Sequence, residues 1–309
     1  MNKLIYDIGA SNIKFALMSP EGEILARDKV ATPHDDLEHY LSALTSLAAP
    51  YLDQADGAAF STNGRMFPDG NTYRSYTSTF LLGVNLKEEM EKRLGIPVVV
   101  ENDGYAAALG EWWKGAGQGT QNMLCFVIGS GLGGGLIING KPVYGSKRNG
   151  AMVFGQLSSF NPSADQYVIS GIETAFPFML YQYAMATGKD PAALSGPQFF
   201  EIAASGDPIA SALLEKYCKA LAIVIYNDAV LLDLDAVVLT GGLSQQDAII
   251  EGVQRELDNI LDKSMRYQGM DLSTLGVLIE KEDFHIKVRR GSLALDANLY
   301  GALYRLLMS

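Results

Sequence analysis

Apolar and polar residues follow one another along the chain in patterns that predict a mixed α/β protein. Residues 98–100 are three consecutive valines, which predict a buried strand, and the alanine-rich run after Asp103 predicts a helix. Residues 4–9, 13–18 and 23–30 predict strands separated by turns. The chain is therefore expected to open with a β-meander.

Helical spacing of apolar residues and short apolar runs predict the remaining elements. The predicted helices cover 37–48, 86–94, 208–232, 245–263 and 294–307. Further strands are predicted at 57–61, 123–128, 136–138, 236–240 and 284–288. Residues 141–206 are the least regular part of the pattern.

The order strand, glycine-rich turn, returning strand occurs twice, at 4–18 and at 123–138. We interpret this as a duplication of topology without a repeat in sequence. The chain has 309 residues, which favours two domains, and the glycine-dense stretch 115–120 is a candidate hinge. We predict domains at 1–117 and 118–293.

The composition is typical of a soluble globular enzyme of small metabolites. Hydrophobic residues make up 48% of the chain, charged residues make up 19%, and the formal net charge is −11. This acidity argues against a nucleic-acid partner, because phosphate backbones bind basic surfaces. No signal peptide or bilayer-spanning run is evident, so we expect a cytoplasmic protein without a membrane partner. Cys125, Cys218 and the histidines lack metal-ligand spacing.

The first glycine turn, residues 7–14, has the chemistry of a phosphate-binding hairpin. It lacks the Gly-Lys-Ser/Thr ending of a Walker A loop and also the dinucleotide fingerprint. Gly9 permits close approach of the backbone, and Ser11 and Asn12 offer donors. Asp7 is expected to hold Mg²⁺, most simply through water. An ordinary tight hairpin is the alternative for this turn taken alone.

Two further glycine-rich segments strengthen the phosphate interpretation. Residues 129–135 contain more glycine than a hairpin needs, and Gly241 and Gly242 follow another predicted strand. Between these turns, Asp103 lies where a strand meets a helix, which suits a catalytic acid or base. The alternative is that Asp103 caps the helix.

The chain resembles the ROK sugar kinases, within the actin-like/hexokinase ATPase superfamily. The motifs that carry this resemblance lie at residues 7–14, 101–103, 129–135, 138–141, 240–242 and 296–302. The resemblance implies an α/β fold of two ribonuclease-H-like (actin-like ATPase) domains with a central cleft, and a final helix, 294–309, that packs back on the first domain. It implies an ATP- and Mg²⁺-dependent kinase of a sugar (a hexose, an N-acetylhexosamine or a β-glucoside) that forms a homodimer.

The same resemblance assigns roles to individual residues. Asp103 is the expected general base, and phosphoryl transfer needs little more than positioning and charge neutralisation beside it. The expected nucleotide-binding residues are Asp7, Gly9, Ala10, Ser11, Asn12, Lys14, Gly129, Ser130, Gly131, Gly133, Gly241 and Gly242. The expected sugar-binding residues are Asn63, Gly64, Arg65, Asn102, Asp103, Gln156 and Glu173.

One segment departs from the family pattern. Val153 stands where the resemblance places a sugar-binding Glu, so we expect it to face a wet pocket. Gln156 stands where a zinc-binding His is expected. Residues 157–171 contain no Cys or His, so we predict that zinc is absent, as in a zinc-free branch similar to β-glucoside kinases. Glu173 still matches the end of the family motif. The alternative for Glu173 is a surface glutamate at a helix start.

Two alternatives to an active kinase follow from the same resemblance. A catalytically silent sugar-binding or regulatory ROK protein would keep the motifs but lose turnover, and the missing carboxylate at Val153 makes this worth testing. A ROK repressor would carry an N-terminal helix-turn-helix. Because the first predicted strand begins near Leu4 and the chain is acidic, we do not expect a repressor.

Overall fold

The protein was analysed as a computed structural model. It describes residues 1–67, 72–74, 79–146, 153–264, 266–267, 270–271 and 286–309. The chain forms two compact units. The first unit comprises Met1–Gln121, Gly134–Ala151 and Ser292–Ser309, and the second comprises Asn122–Gly133 and Met152–Gly291. The domain division between residues 117 and 118 stays a prediction.

The elements are numbered in chain order. The strands are β1 (Asn2–Ile8), β2 (Asn12–Met18), β3 (Ile24–Ala31), β4 (Ala55–Thr62), β5 (Arg65–Met66), β6 (Thr72–Arg74), β7 (Val98–Asn102), β8 (Met123–Ile128), β9 (Leu132–Ile138), β10 (Lys141–Pro142), β11 (Leu157–Asn161), β12 (Gln166–Ile169), β13 (Ala236–Thr240), β14 (Arg266–Tyr267), β15 (Met270–Asp271) and β16 (Val288–Arg290). The helices are α1 (Leu37–Ala48), α2 (Leu86–Leu94), α3 (Asp103–Lys114), α4 (Ser170–Glu173), α5 (Phe176–Thr187), α6 (Gly196–Ala204), α7 (Pro208–Leu232), α8 (Asp247–Ser264) and α9 (Ala297–Leu307).

The first sheet has the strand order β3-β2-β1-β4-β7. β1, β2 and β3 are antiparallel neighbours, which confirms the predicted meander, and β4 and β7 continue the sheet in parallel with β1. Alternate side chains enter two separate cores, as expected for a sheet covered on both faces. Tyr6 stacks on Phe60 on the face covered by α1 and α2, whereas Ile5 and Ala59 face α9.

The second sheet has the order β10-β9-β8-β13-β16. It repeats the plan of the first sheet, because β9 and β10 form an antiparallel hairpin while β13 is parallel to both β8 and β16. The predicted duplication of topology is therefore confirmed. Of the strand predicted at 284–288, residues 284 and 285 lie outside the described residues, and β16 begins at Val288.

Residues 141–206, the least regular part of the sequence pattern, nevertheless form regular elements. This region contains the β11–β12 hairpin and the helices α4, α5 and α6. Sequence patterns do not reveal α5 because the helix carries apolar side chains on both its buried and its exposed faces. Met179 and Tyr183 are buried, while Phe178 and Tyr181 are exposed. A helix without a polar face gives no periodic signal.

The helices α3 and α9 cross at close range within the first unit. A Cβ atom on Gly301 would lie 1.6 Å from the Ala106 carbonyl oxygen, and one on Gly110 would lie 2.1 Å from the Ala297 carbonyl oxygen. Glycine is therefore required at both positions for the backbones to approach. Within the described part of the chain, every helix is too short or too polar to cross a membrane.

Candidate active site

The join between β7 and α3 is built around the Asn102 side chain. Asn102 is the N-cap of α3, and its Oδ1 accepts hydrogen bonds from the amides of Gly104 at 2.9 Å and Tyr105 at 3.2 Å. Its Nδ2 donates to the Gly64 carbonyl at 2.8 Å. The helix cap is thus Asn102 and not Asp103, so the alternative that Asp103 serves as the cap was wrong. Asp103 becomes the first residue of the helix.

Asp103 has one engaged and one available carboxylate oxygen. Oδ1 accepts hydrogen bonds from Asn102 Nδ2 at 3.0 Å and from the Gly104 amide at 2.9 Å. Oδ2 has no hydrogen-bond partner among the described residues. Burial raises the pKa of Asp103 to about 6, and the negative charge of Asp7 adds to this shift. Asp103 is therefore ionised at neutral pH with an oxygen ready to take a proton.

Asp7 lies at the end of β1, and its environment differs from that of Asp103. Its Oδ2 accepts from Lys14 Nζ at 2.9 Å, and Lys14 also donates to the Leu295 carbonyl at 3.1 Å. Asp7 Oδ1 has no partner in the described part of the chain. One charged lysine beside a buried carboxylate leaves Asp7 able to bind a further cation.

Asp7 belongs to a row of polar residues that crosses the ends of three neighbouring strands. Asp7 on β1 pairs in register with Ser61 on β4, and Ser61 pairs with Glu101 on β7. In-register neighbours of parallel strands point to the same face. Sequence analysis assigned no role to Ser61 or Glu101. Their signal was available, since each is a polar residue two positions after an apolar one near the end of a predicted strand.

Further residues contact this row. Glu101 is buried, and its Oε2 accepts from Tyr144 Oη at 2.6 Å and lies 3.3 Å from Arg305 Nε. Asn298 Nδ2 donates to Ser61 Oγ at 3.0 Å. Arg305 and Asn298 come from α9, so the last helix completes the polar layer of the first sheet. Sequence analysis did not assign a role to either.

In the turn after β1, the carbonyl groups of Gly9 and Ala10 are engaged and two backbone amides are available. Gly9 N donates to the Asn12 carbonyl at 3.0 Å, and Thr32 Oγ donates to the Gly9 carbonyl at 2.8 Å. His34 Nε2 lies 2.7 Å from the Ala10 carbonyl. The amides of Ala10 and Ser11 have no acceptor among the described residues, and both residues are exposed. Two available amides at an exposed turn suit an anion such as phosphate.

The turn after β8 gives different roles to its glycines. A Cβ atom at Gly129 or Gly131 would meet nothing within 4 Å, and neither residue has positive φ. At the end of this glycine run, a Cβ at Gly135 would lie 2.5 Å from the Ala108 Cβ. Gly135 is therefore required for packing. Gly129 and Gly131 are not required by the fold, so open space is left there for a ligand. Ser130 lies between them and is exposed, and Gly133 is half-buried in β9.

The turn after β13 shows the same division. Gly241 has φ +92, and a Cβ there would lie 2.6 Å from the Ile128 carbonyl oxygen, so the fold requires glycine. Gly242 is exposed, and a Cβ there would meet nothing within 4 Å. Gly242 is therefore the residue of this pair at which a ligand would find open space.

Residues 63–65 follow β4 and lie beside Asn102 through the Gly64 carbonyl. Gly64 has φ +100, which glycine adopts without strain. The Arg65 guanidinium carbon lies 5.2 Å from the centroid of the Phe67 ring. The structure thus brings Gly64, with its neighbours Asn63 and Arg65, to the strand end that carries Asn102 and Asp103.

The two predicted sugar ligands of the second unit are engaged in contacts within that unit. Gln156 Nε2 donates to Asp228 Oδ1 at 2.6 Å, and burial raises the pKa of Asp228. Glu173 Oε2 accepts from the hydroxyl groups of Ser158 at 2.6 Å and Ser159 at 3.0 Å. The Glu173 side chain is 7% exposed. It is therefore not the surface glutamate considered as an alternative.

The interpretation of Val153 as an open position in a wet pocket was wrong. Val153 is 2% exposed and lies in a short 3-10 turn, Val153–Gly155, whose first carbonyl accepts from Ser170 Oγ at 2.5 Å. Residues 149–152, which precede it in the motif comparison, lie outside the described residues. Among the described residues, no group of three or more His, Cys, Asp and Glu is placed to hold a metal ion. The absence of zinc stays a prediction.

Comparison with known proteins extends over nearly the whole chain. Residues 5–155 and 181–276 match the ROK family. The chain is 29% identical over 261 residues to a beta-glucoside kinase of Listeria innocua, covering 82% of this chain and 86% of that protein. It is 29% identical over 283 residues to an N-acetyl-D-glucosamine kinase of Erwinia tasmaniensis, covering 83% and 89%.

The fold comparison agrees with the sequence comparison. A ROK family protein from Streptococcus pneumoniae TIGR4, solved in complex with sucrose, has a TM-score of 0.83 and 26% identity, covering 100% of this chain and 98% of that one. The prediction of an α/β fold of the actin-like ATPase type is confirmed. Since the family match covers well over half of its length, the chain belongs to the ROK family.

Proposed function

We propose that this protein transfers the γ-phosphoryl group of ATP to a sugar hydroxyl with Asp103 as the general base. The broader assignment, an ATP-dependent carbohydrate kinase, is supported by the names of its relatives. The observation that carries the finer proposal is the state of Asp103: one oxygen without a partner among the described residues, on a carboxylate whose pKa is raised to about 6. A base with a pKa near neutral is suited to receive a hydroxyl proton.

Asp103 Oδ2 takes the proton of the sugar hydroxyl as the sugar oxygen forms its bond to the γ-phosphorus. The bond between the γ-phosphorus and the β–γ bridging oxygen breaks, and ADP leaves with that oxygen. The hydrogen bonds from Asn102 Nδ2 and the Gly104 amide hold the other oxygen of Asp103 in place. They orient the base throughout the transfer.

The donors present suit the phosphate groups and a divalent cation. Asp7 has an oxygen with no partner in the described part of the chain, and Mg²⁺ is commonly held by one or two carboxylates together with substrate phosphates. Mg²⁺ held through Asp7 would supply neutralisation of phosphate charge. The available amides of Ala10 and Ser11 suit the phosphate oxygens. The open space at Gly129 and Gly131 suits a phosphate chain that lies close to the backbone.

We propose a β-linked glucoside as the preferred sugar, ahead of glucose or an N-acetylhexosamine. The similarity to a beta-glucoside kinase supports this preference. The sucrose complex of another similar protein supports a site that accepts more than one sugar ring. We keep Asn63, Gly64, Arg65 and Asn102 as proposed sugar contacts. Gln156 and Glu173 stay proposed contacts that would need to exchange partners within the second unit to reach a sugar.

A homodimer is the proposed assembly. The β11–β12 hairpin exposes the large apolar side chains of Leu157, Phe160 and Tyr167, and the ring centroids of Phe160 and Tyr167 lie 4.9 Å apart. Exposed apolar clusters of this kind are typical of protein interfaces. We also keep a cytoplasmic location and a zinc-free site as proposals.

A coupled assay of ADP release tests the proposal. Glucose, N-acetylglucosamine, N-acetylmannosamine and cellobiose are compared, with Asp103→Asn as the inactive variant and Asp53→Asn, an exposed aspartate, as its matched control. We expect turnover of at least one sugar and a loss of about 10²–10⁴ in Asp103→Asn. Activity retained within about tenfold would overturn the assignment of Asp103. No ADP release beside measurable ATP binding would favour the silent sugar-binding alternative.

A further inference from the structure

Asn298 contacts two elements of the candidate active site. Its Nδ2 donates to Ser61 Oγ at 3.0 Å and to the Asp103 carbonyl at 3.4 Å. Ser61 is fully buried on β4 and is the register neighbour of Asp7 on β1. One amide group thus joins the strand beside Asp7 to the helix residue that we propose as the base.

The segment that carries Asn298 is anchored just before it. Arg27 makes two hydrogen bonds to the Asp296 carboxylate, at 2.9 and 2.7 Å. Lys14 donates to the Leu295 carbonyl at 3.1 Å. Lys14 also pairs with Asp7, so it links the segment before α9 to the Asp7 carboxylate.

Two further contacts fix α9 against α3. The Glu111 carboxylate, fully buried near the end of α3, accepts hydrogen bonds from the amides of Ser292 at 3.0 Å and Leu293 at 3.1 Å. One turn after Asn298, Gly301 lies against the Ala106 carbonyl with no room for a Cβ atom. α9 therefore cannot shift along α3 without breaking these contacts. They fix the position of the Asn298 backbone relative to α3.

We propose that Asn298 is a positioning residue for phosphoryl transfer, whose amide fixes the first residue of α3 against the end of β4 and so sets the separation of the Asp103 and Asp7 carboxylates. The inference rests on the function proposed above. Asn298 is not a catalytic residue, because its contacts are to the Ser61 hydroxyl and to the backbone of Asp103. It acts through the orientation of Asp103.

The chemistry of the site explains why an amide suits this position. An amide nitrogen has two hydrogens and can donate to Ser61 and Asp103 together, whereas an aspartate could donate to neither when ionised. An aspartate would also add a third negative charge beside Asp7 and Asp103. Lys14, paired with Asp7, is the neighbouring positive charge on that side.

The other charged pair near this row is Glu101 with Arg305 on α9. Loss of the Asn298 amide leaves that pair in place. A change in the pH dependence of Asn298→Ala would therefore report the relation between Asp103 and Asp7, whereas that of Asn298→Asp would also report its own added charge.

The test compares Asn298→Ala and Asn298→Asp with Leu306→Ala. Leu306 is a buried residue of α9 in the apolar core beside the sheet, so its truncation loosens the same helix without touching the polar row. kcat, KM and the pH profile are measured with whichever of glucose, N-acetylglucosamine and cellobiose the unchanged protein phosphorylates fastest. For Asn298→Ala we expect kcat to fall about tenfold or more with KM within about threefold, since misplacement of a catalytic group lowers the rate of the chemical step. For Asn298→Asp we expect the acid limb of the kcat profile to move to higher pH.

Leu306→Ala is expected to lower Tm and to leave kcat and the acid limb unchanged. Ser61→Ala removes the acceptor without changing α9, and it provides the second variant if Asn298→Ala does not fold. It is expected to lower kcat in the same direction. The inference is overturned if Asn298→Ala and Ser61→Ala both keep the kcat and pH profile of the unchanged protein while Asp103→Asn is inactive. If Asp103→Asn keeps its turnover, Asp103 is not the general base and the role proposed for Asn298 is lost as well. Asp103→Asn therefore distinguishes failure of the proposed function from failure of this inference alone.

Discussion

The Lys14 ammonium group lies 2.9 Å from Asp7 Oδ2, across a register pair that joins β1 to β2. The same group donates to the Leu295 carbonyl at 3.1 Å, and the Lys14 side chain is still 34% exposed. An ammonium group has three donors, so one remains for a ligand. Lys14 is therefore both the partner of Asp7 and a candidate contact for phosphate.

Lys14→Met is expected to weaken ATP binding by roughly 10- to 100-fold, because a hydrogen bond from a charged group to phosphate is lost. It is also expected to move the acid limb of the kcat profile to higher pH. The reason is that Asp7, without its positive partner, repels the ionised form of Asp103 more strongly and raises the pKa of Asp103 above about 6. Nucleotide titration and pH–rate profiles measure the two effects.

Lys29→Met is the matched control for this prediction. Lys29 on β3 is the register neighbour of Lys14 but is exposed. The Lys29→Met variant therefore removes the same charge from the same sheet. It should leave both readouts unchanged. Equal effects of the two variants would mean that net charge alone, and not the contact with Asp7, governs ATP binding.

Asp103→Asn is expected to make the folded protein more stable at neutral pH while it lowers turnover by about 10²–10⁴. The pKa of Asp103 is raised to about 6 by burial and by Asp7, so the folded state holds its proton more tightly than the unfolded state does. The charge consequently destabilises the fold once the pH rises above the unfolded pKa, and fully so above about 6. Removing it should raise the free energy of unfolding by about 1–3 kcal/mol at pH 7.5.

The pH dependence gives this prediction its sharpest check. The stability difference between Asp103→Asn and the unchanged protein should shrink as the pH falls from 6 to 4, since Asp103 is then protonated in the folded state. Asp53→Asn, at an exposed position, should show no such trend. A variant that is less stable than the unchanged protein at pH 7.5 would contradict the buried, repelled state described for Asp103.

Substitutions in the glycine turns should separate ligand-facing positions from those that the fold requires. Gly131→Val adds a side chain into open space, so we expect a folded protein with ATP affinity reduced by roughly 10- to 100-fold through lost phosphate contacts. Gly9→Val is expected to act in the same direction. A Cβ there would lie 3.3 Å from the Asn12 carbonyl oxygen, so some loss of Tm should accompany it.

Gly241→Val is the contrasting variant. Its φ of +92 and the nearby Ile128 carbonyl leave no acceptable position for a side chain, so it should be strongly destabilised. Thermal melts and nucleotide titrations of the three variants measure both properties. Unchanged ATP affinity in folded Gly131→Val would show that the turn after β8 is a plain hairpin.

The amount that could be predicted from sequence differs between the elements and the site. The meander and the long helix α7 (Pro208–Leu232) follow from periodicity and turn residues, and the structure agrees with both. Asn102 and Asp103 could be located from the meeting of a strand and a helix pattern. Asn298 could not be connected to Ser61, because 237 positions separate them and only the packing of α9 on α3 brings them together.

Burial of single residues was a second limit on prediction. Val153 was compared with a family motif and interpreted as part of a wet pocket, yet the structure buries it. An apolar residue in an irregular segment gives no periodic signal of its surroundings, since burial there depends on distant elements. Glu173 illustrates the same limit, because its partners Ser158 and Ser159 lie on the β11–β12 hairpin, which sequence patterns did not indicate.

Val153→Glu is expected to destabilise the protein. A carboxylate at a position that is 2% exposed would lose its hydration without a partner. We expect a loss of stability of about 3 kcal/mol or more. Val153→Ala should cost less, about 1–3 kcal/mol, since it only leaves a cavity. Denaturant melts of both variants measure the difference, and a fully stable Val153→Glu would return this residue to the sugar pocket.

The β11–β12 hairpin is held to the rest of the second unit through Glu173. Glu173 accepts hydrogen bonds from Ser158 and Ser159 on that hairpin, and Lys216 on α7 lies 3.4 Å from its other oxygen. This buried carboxylate thereby connects the hairpin, α4 and α7 of the second unit, a role that a structural zinc ion fills in other proteins. We therefore expect a zinc chelator to leave Tm and activity unchanged when Mg²⁺ is in excess, and elemental analysis to find no stoichiometric zinc.

Glu173→Ala should lower Tm by several degrees, because two hydroxyl groups and a lysine lose their shared partner. Glu201→Ala, at an exposed position on α6, is the control and should leave Tm unchanged. A chelator-sensitive Tm together with an unaffected Glu173→Ala variant would mean that a metal, and not Glu173, holds the hairpin.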